Sequence, residues 1–368
     1  MNRWKKASLA LLALAGLLAV AAWLTFRLPA FGGVPDGARL DRMRLSRQFH
    51  GGRFDNTPPY VSNLSFMAEM NSFFGDEVRE PTFEVPVVRI VPAHLERPVA
   101  PGLRAWWLGH ASVLLEIDGV RILTDPMLSL RASPFQFVGP ARLHAAPLAL
   151  QDLKNIDAVV ISHDHFDHLD MDTIQALARG GTQFFVGLGI GAHLERWDVP
   201  PAQIHEMDWW EHAQVRGVAI HCTPARHYSG RKGMDNSTLW ASWMLKGPQH
   251  SAYFSGDTGY AGHFREVRER LGAPELALIK IGAYGATWLD IHMDPESAVR
   301  AHRDLGATTL LPVHWATFNL AYHAWAEPIL RAVAAARAQG VQIVTPRPGE
   351  KFEVGVPFVN KAWYLKPS

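Results

Sequence analysis

The 368-residue sequence predicts an α/β fold in which two sheets pack face to face with helices outside, behind an N-terminal transmembrane helix and an extended arm. Three observations predict it. Short apolar runs rich in β-branched and aromatic residues recur from Leu103 onward, segments of helical period separate the later ones, and a long uncharged stretch follows three early cations.

The N-terminus comes first. Arg3, Lys5 and Lys6 precede an uncharged run over residues 7–26, close to the roughly 20 residues that cross a bilayer. Ala19-Val20-Ala21 offers a small-residue cleavage site, but the run continues through Trp23, Leu24 and Phe26, which favours an uncleaved anchor. No lipobox cysteine follows. The basic flank then places the bulk of the chain outside the cytoplasm, in the periplasm of a Gram-negative cell. Residues 28–102 read as a linker arm broken by Gly32-Gly33, Gly51-Gly52 and Pro58-Pro59, with a hint of helix only over 63–74. The main domain is expected over 103–350 and a C-terminal tail over 351–368.

Within that domain, strands are expected at 105–108, 113–117, 120–123, 158–161, 184–186, 218–222, 239–245, 252–254, 276–281 and 308–313. Helices are expected at 171–178, 263–271, 295–305 and 325–338, with Asp294 as N-cap and Pro295 in the first turn of the third. Paired strands first, then strands alternating with helices, require each helix to bury its stripe on a sheet face.

Composition narrows the function. Hydrophobic residues at 48% and charged residues at 19% suit a folded chain with a large core, and a net charge of +1 excludes a field that would draw nucleic acid. The single cysteine, Cys222, lies in an apolar run and rules out an intrachain disulfide and a thiolate-rich zinc site. Oligomeric state has no signature here. Eighteen histidines direct attention to metal spacing.

The strongest signal is His163-Asp164-His165-Phe166-Asp167-His168, which follows the apolar run at 158–161. Alternation puts His163 and His165 on one side of the chain, where both can reach one ion, while Asp167 and His168 can serve a second. Imidazole with carboxylate suits zinc, manganese or iron; calcium takes oxygens only. One loop cannot close two sites. Three further candidates stand at strand ends: His227, Asp257 between glycines in Gly256-Asp257-Thr258-Gly259, and His314.

The order H-x-H-x-D-H, then His, then G-D-T-G, then His-Trp resembles the metallo-β-lactamase superfamily. More narrowly, it resembles N-acyl-phosphatidylethanolamine-hydrolysing phospholipase D and its bacterial relatives. The likeness spans about residues 106–346. It includes Trp107-Leu108-Gly109-His110, Leu123-Thr124-Asp125-Pro126, Arg131-Ala132-Ser133-Pro134, Asp208-Trp209-Trp210-Glu211, Ile281-Gly282-Ala283-Tyr284 and His314-Trp315-Ala316-Thr317-Phe318. It implies a four-layer αββα sandwich and two zinc ions. His163, His165 and His227 would hold one, Asp167, His168 and His314 the other, with Asp257 bridging. It also implies a catalytic role for Asp167, a place for His292 near a substrate phosphate, and Asp125 as the carboxylate that orients a ligand histidine. Phe137 and Phe166 depart from tyrosines common in that family, which bears on head-group preference.

The implied reaction is hydrolysis of an N-acyl-phosphatidylethanolamine-like lipid at a membrane, giving phosphatidic acid and an N-acylethanolamine. Two other readings fit the same residues: a metal-dependent lactone or acyl-ester hydrolase, and a non-catalytic, membrane-anchored metal-binding protein of the envelope. A complete ligand set argues against the last.

Overall fold

The computed structural model describes residues 3–60 and 75–366, and within the first helix the side chains of Trp4 and residues 11–25. The helix hinted at over 63–74 lies outside the described residues. A two-residue hairpin, β1 (Phe49–His50) and β2 (Arg53–Phe54), is the only strand pair of the arm among the described residues. Two seven-stranded sheets follow.

The first sheet uses β3 (Leu103–Gly109), β4 (Ser112–Ile117), β5 (Val120–Thr124), β6 (Ala158–Ile161), β7 (Gln183–Gly187) and β8 (Ile204–Met207) in sequence order. The second uses β9 (His212–Val215), β10 (Val218–Thr223), β11 (Ser242–Lys246), β12 (Ser251–Phe254), β13 (Leu276–Lys280), β14 (Thr309–Val313) and β15 (Gln342–Ile343), again in order. The last strand, β16 (Lys351–Glu353), returns to the first sheet and pairs antiparallel with β3, Phe352 opposite Ala105. Beyond it, Trp363 packs 5.1 Å from Trp315, itself stacked on Trp107.

Alternation along the first sheet separates two apolar layers. Val113, Leu115, Ile122, Val160 and Phe185 share one buried cluster with Ile220, Trp243, Leu245 and Leu278 of the second sheet. Their alternates Leu114, Leu123, Val159 and Phe184 pack instead with Ile174, Leu177, Leu194 and Trp197. These last four belong to the outer helices Met171–Ala178 and Gly191–Arg196 and to the residue just after them. Helices His263–Leu271, Pro295–Leu305 and Glu327–Ala338 contribute Phe264, Val267, Val299, Leu305, Ile329 and Ala332 to the core on the second sheet's side. The result is the expected helix–sheet–sheet–helix order, each fully buried Leu or Phe contributing about 1.5–3 kcal/mol. Asp294 caps its helix as expected, its carboxylate accepting from Ser297 N at 2.8 Å.

Two sequence motifs are structural devices. Asp208-Trp209-Trp210-Glu211 is the corner where the chain leaves the first sheet for the second. Trp209 Nε1 donates to Trp240 O, Trp210 N donates to Cys222 O, and Trp210 takes a positive φ of 75°. Arg131-Ala132-Ser133-Pro134 closes on Gly139-Pro140, with Arg131 Nη1 donating to Gly139 O and Ala132 N to Pro140 O.

Three expectations change. No helix among the described residues is long and apolar enough to cross a membrane, which overturns the N-terminal transmembrane helix and the single-anchor localisation built on it. A helix does form over Arg3–Thr25. Second, β11 begins at Ser242 rather than 239. Leu239 N donates to Leu188 O and Ala241 N to Ser162 O, so this backbone ties the two sheets together instead of extending the ladder. Third, β8, β9, β15 and β16 were not foreseen; they are short and carry polar residues in alternation or at edges.

Candidate metal centre

Strands of both sheets end at one edge, and the residues just after β3, β5, β6, β12 and β14 converge there. After β6, Ser162 N and Oγ donate to the two oxygens of Asp125, at 2.7 and 2.5 Å. His163 Nδ1 donates to Ser162 Oγ (2.9 Å), His168 Nδ1 to Asp125 Oδ2 (2.6 Å) and His227 Nδ1 to Ile291 O (3.1 Å). All three rings therefore spend the same nitrogen on a structural acceptor and turn Nε2 inward.

Two donor groups result. His163 Nε2 lies 2.8 Å and His227 Nε2 lies 3.4 Å from His165 Nδ1, and these three donors lie within 4.8 Å of one another. His110, Asp167, His168 and His314 form the second group at the same criterion. Asp257 stands between them. Its Oδ2 is 3.0 Å from His314 Nε2, 3.3 Å from His168 Nε2, 3.7 Å from His292 Nδ1 and 3.9 Å from His227 Nε2. The glycines flanking it serve close approach. A Cβ on Gly256, whose φ is +54°, would stand 2.4 Å from Ser162 Cβ, and one on Gly259 would stand 1.9 Å from Asp290 O.

The seven expected metal donors are in this cluster, and Asp125 and His292 stand against it. Asp125 stands behind His168, and His292 faces the cleft beside Asp257. Reading the residues missed His110, which appeared only within a longer matched segment. It is 1% exposed, follows β3 directly, and donates from Nε2 to Asp167 Oδ2 at 3.0 Å. Also missed were Tyr228, whose ring lies 4.5 Å from that of His165, and the buried Lys280 at the end of β13.

Electrostatics fit a cation site. Burial works against the Asp257 carboxylate, yet His314 and His168 hold it well below the usual carboxylate range. For Asp167, burial is likewise outweighed by His168 and the hydrogen bond from His110. Burial opposes a charge on His168, but Asp257 and Asp167, with the bond to Asp125, push it well above the imidazole range. Burial first, and His314 second, pull His110 down to about 3. Buried atoms His168 Nε2, His314 Nε2, Asp257 Oδ1 and His292 Nδ1 make no hydrogen bond among the described residues. Buried polar atoms are normally satisfied, so convergent orphaned nitrogens and carboxylate oxygens are what a metal donor set requires.

A cleft of about 750 Å³ opens onto this cluster, lined by His165, Asp167, Asp257, His292 and His314 on its floor and by Phe166, Trp288, Ile291 and Leu320 on its walls. Phe137, by contrast, is 81% exposed.

Comparison with known proteins places the chain in a family. The model of the β-lactamase superfamily domain matches residues 120–315. An uncharacterised protein of Mycobacterium tuberculosis is 44% identical over 94% of this chain and 96% of its own. N-acyl-phosphatidylethanolamine-hydrolysing phospholipase D 1 of Caenorhabditis elegans is 36% identical over 60% of this chain and 65% of its own. Among solved structures, Igni18, a metallo hydrolase from Ignicoccus hospitalis, superposes with a TM-score of 0.54 at 27% identity, covering 68% of this chain and 98% of that one. The chain belongs to the β-lactamase superfamily, and its fold is that of the superfamily's metal-dependent hydrolases.

Proposed function

We propose that the protein is a dinuclear-zinc phosphodiesterase that hydrolyses N-acyl-phosphatidylethanolamine-like lipids, as a phospholipase D does. His163, His165 and His227 would hold one ion and Asp167, His168 and His314 the other, with Asp257 within reach of both groups; manganese or iron would suit the same donors. The observation that carries this reading is the position of Asp257 between the two donor groups, within 3.0–3.9 Å of His314, His168 and His227. Ions held there supply Lewis acidity and hydroxide at neutral pH.

The chain's own residues do the rest. His110 keeps Asp167 turned inward, and Asp125 fixes the tautomer of His168. His292 is held neutral by burial and the nearby Lys280 ammonium, so its ring offers an N–H to the phosphoryl or leaving oxygen rather than a positive charge. Apolar walls at Phe166, Trp288, Ile291 and Leu320 exclude water and suit acyl chains. Water adds to phosphorus, the P–O bond distal to diacylglycerol breaks, and phosphatidic acid and an N-acylethanolamine leave. Similarity to the nematode phospholipase D supports the substrate class.

One observation favours a second reading. No lysine or arginine lines the cleft among the described residues, as a neutral lactone or acyl ester would allow. Side-by-side rates on a lipid phosphodiester and an acyl lactone, with metal content measured on the same preparation, separate the two. The first reading expects turnover of the phosphodiester that chelation abolishes. Full phosphodiesterase activity in metal-stripped Asp257→Ala protein would refute it.

A further inference from the structure

Arg231, 5% exposed, lies behind the donor loop and takes no direct part in the cluster. Its Nη1 donates to Asp164 O (2.7 Å) and Leu169 O (3.0 Å), the residues that bracket His165 to His168. Its Nε and Nη2 both donate to Ala30 O, at 2.9 and 2.7 Å. The guanidinium stands 4.0 Å from the centre of the Phe166 ring and 5.1 Å from that of Trp197. One planar cation thus fixes both ends of the loop and binds the chain segment after the first helix to it.

That segment reaches the loop by independent contacts. Phe31 meets Phe166 edge-on at 5.8 Å, and Trp197 Nε1 donates to Pro29 O at 2.7 Å. Gly32, at φ +73°, is pressed against His193, where a Cβ would stand 2.1 Å from Nδ1. His193 Nε2 in turn donates to Asp164 Oδ2 at 3.2 Å, and the other Asp164 oxygen accepts from Gly230 N at 2.8 Å. Asp164 sits between His163 and His165.

We propose that residues 29–33 form a clasp, pinned by Arg231, that positions the donor loop and so sets the metal affinity of the centre. This rests on the reading of the loop as a metal site, and the test keeps the two apart. Cobalt affinity is measured by competition with a chromophoric chelator, and the visible spectrum of the cobalt protein is recorded, for the wild type and for Arg231→Met, Arg231→Lys, Phe31→Ala and Gly32→Ala. Outer-shell partners typically contribute 10–100-fold in metal affinity. Arg231→Met is expected to lose affinity in that range, and Phe31→Ala and Gly32→Ala about tenfold, each with an altered cobalt spectrum and unchanged far-ultraviolet circular dichroism. Lysine is expected not to rescue, because one ammonium cannot serve three carbonyls in a fork. Val34→Ala, next to the clasp but 71% exposed, is expected to bind as wild type. Wild-type affinity and spectrum in folded Phe31→Ala and Gly32→Ala would overturn the clasp and leave the metal centre standing, whether or not the arginine variants fold. A wild type that takes up no cobalt would overturn the metal reading and the clasp with it.

Discussion

The donors of the first sheet and those of the second are held in different ways. His163, His165, Asp167 and His168 come from one loop after β6, whereas His227, Asp257 and His314 arrive singly from the ends of β10, β12 and β14. The loop is positioned by hydrogen bonds to side chains, those of Asp125, Ser162 and Arg231, which single substitutions remove. Asp257 and His314 follow ladder backbone buried on both faces, which resists local change, and His227 is clamped through its own backbone by Asn56, which accepts from its N and donates to its O. A site split this way couples a tunable half to a rigid one.

The hardest test of that division is to remove a donor from each half. Asp257→Ala and His165→Ala should each lower kcat/KM on a lipid phosphodiester by roughly 10^3-fold or more, since groups that act as a unit fail together. A His165→Ala enzyme within a few-fold of wild type would show that the loop's first half is dispensable.

The rigid half has its own signature in Lys280, which is 0% exposed and donates to Gly282 O at 2.8 Å. Burial lowers its pKa to about 8, partly opposed by Asp257. Between about pH 8 and 10.5 the unfolded chain holds a proton that the folded chain has released, so stability should rise with pH across that window. Below it the buried charge costs about 3 kcal/mol. Urea midpoints of metal-free protein at pH 7.5 and pH 10 should therefore differ in the wild type and converge in Lys280→Met.

A smaller effect probes the tunable half. Asp125→Ala leaves Nδ1 of buried His168 without its acceptor and should weaken zinc binding 10–100-fold, read by chelator competition. Unchanged affinity would remove Asp125 from the design. Smallest is Asp294→Ala, which deletes a helix cap outside the two donor groups and should cost about 1 kcal/mol in chemical unfolding while leaving metal affinity alone.

The same division explains what the sequence made legible. The loop donors declare themselves because strand alternation and metal spacing coincide within six residues. His227, Asp257 and His314 are visible only through a shared habit, each standing just after an apolar run. His110 obeys that habit too, directly after β3, and applying it to every strand would have found it. Arg231 could not be found this way, because its partners are backbone carbonyls of Ala30, Asp164 and Leu169, brought together by tertiary folding alone. The strands that escaped notice fail for a related reason. Lys351-Phe352-Glu353 is too short and polar to show a period, and its place is decided by the open edge of β3. The apolar run at the N-terminus misled in the other direction: it does form a helix, but no helix among the described residues is long and apolar enough to cross a membrane.

That edge has a consequence for biosynthesis. β3 emerges from the ribosome long before β16, so one flank of the first sheet keeps its amides and carbonyls unpaired until that later strand follows. Unpaired flanks recruit strands from other nascent chains. Since β3 leads directly into His110, folding of the edge that carries the donors is bound to a strand synthesised much later in the chain.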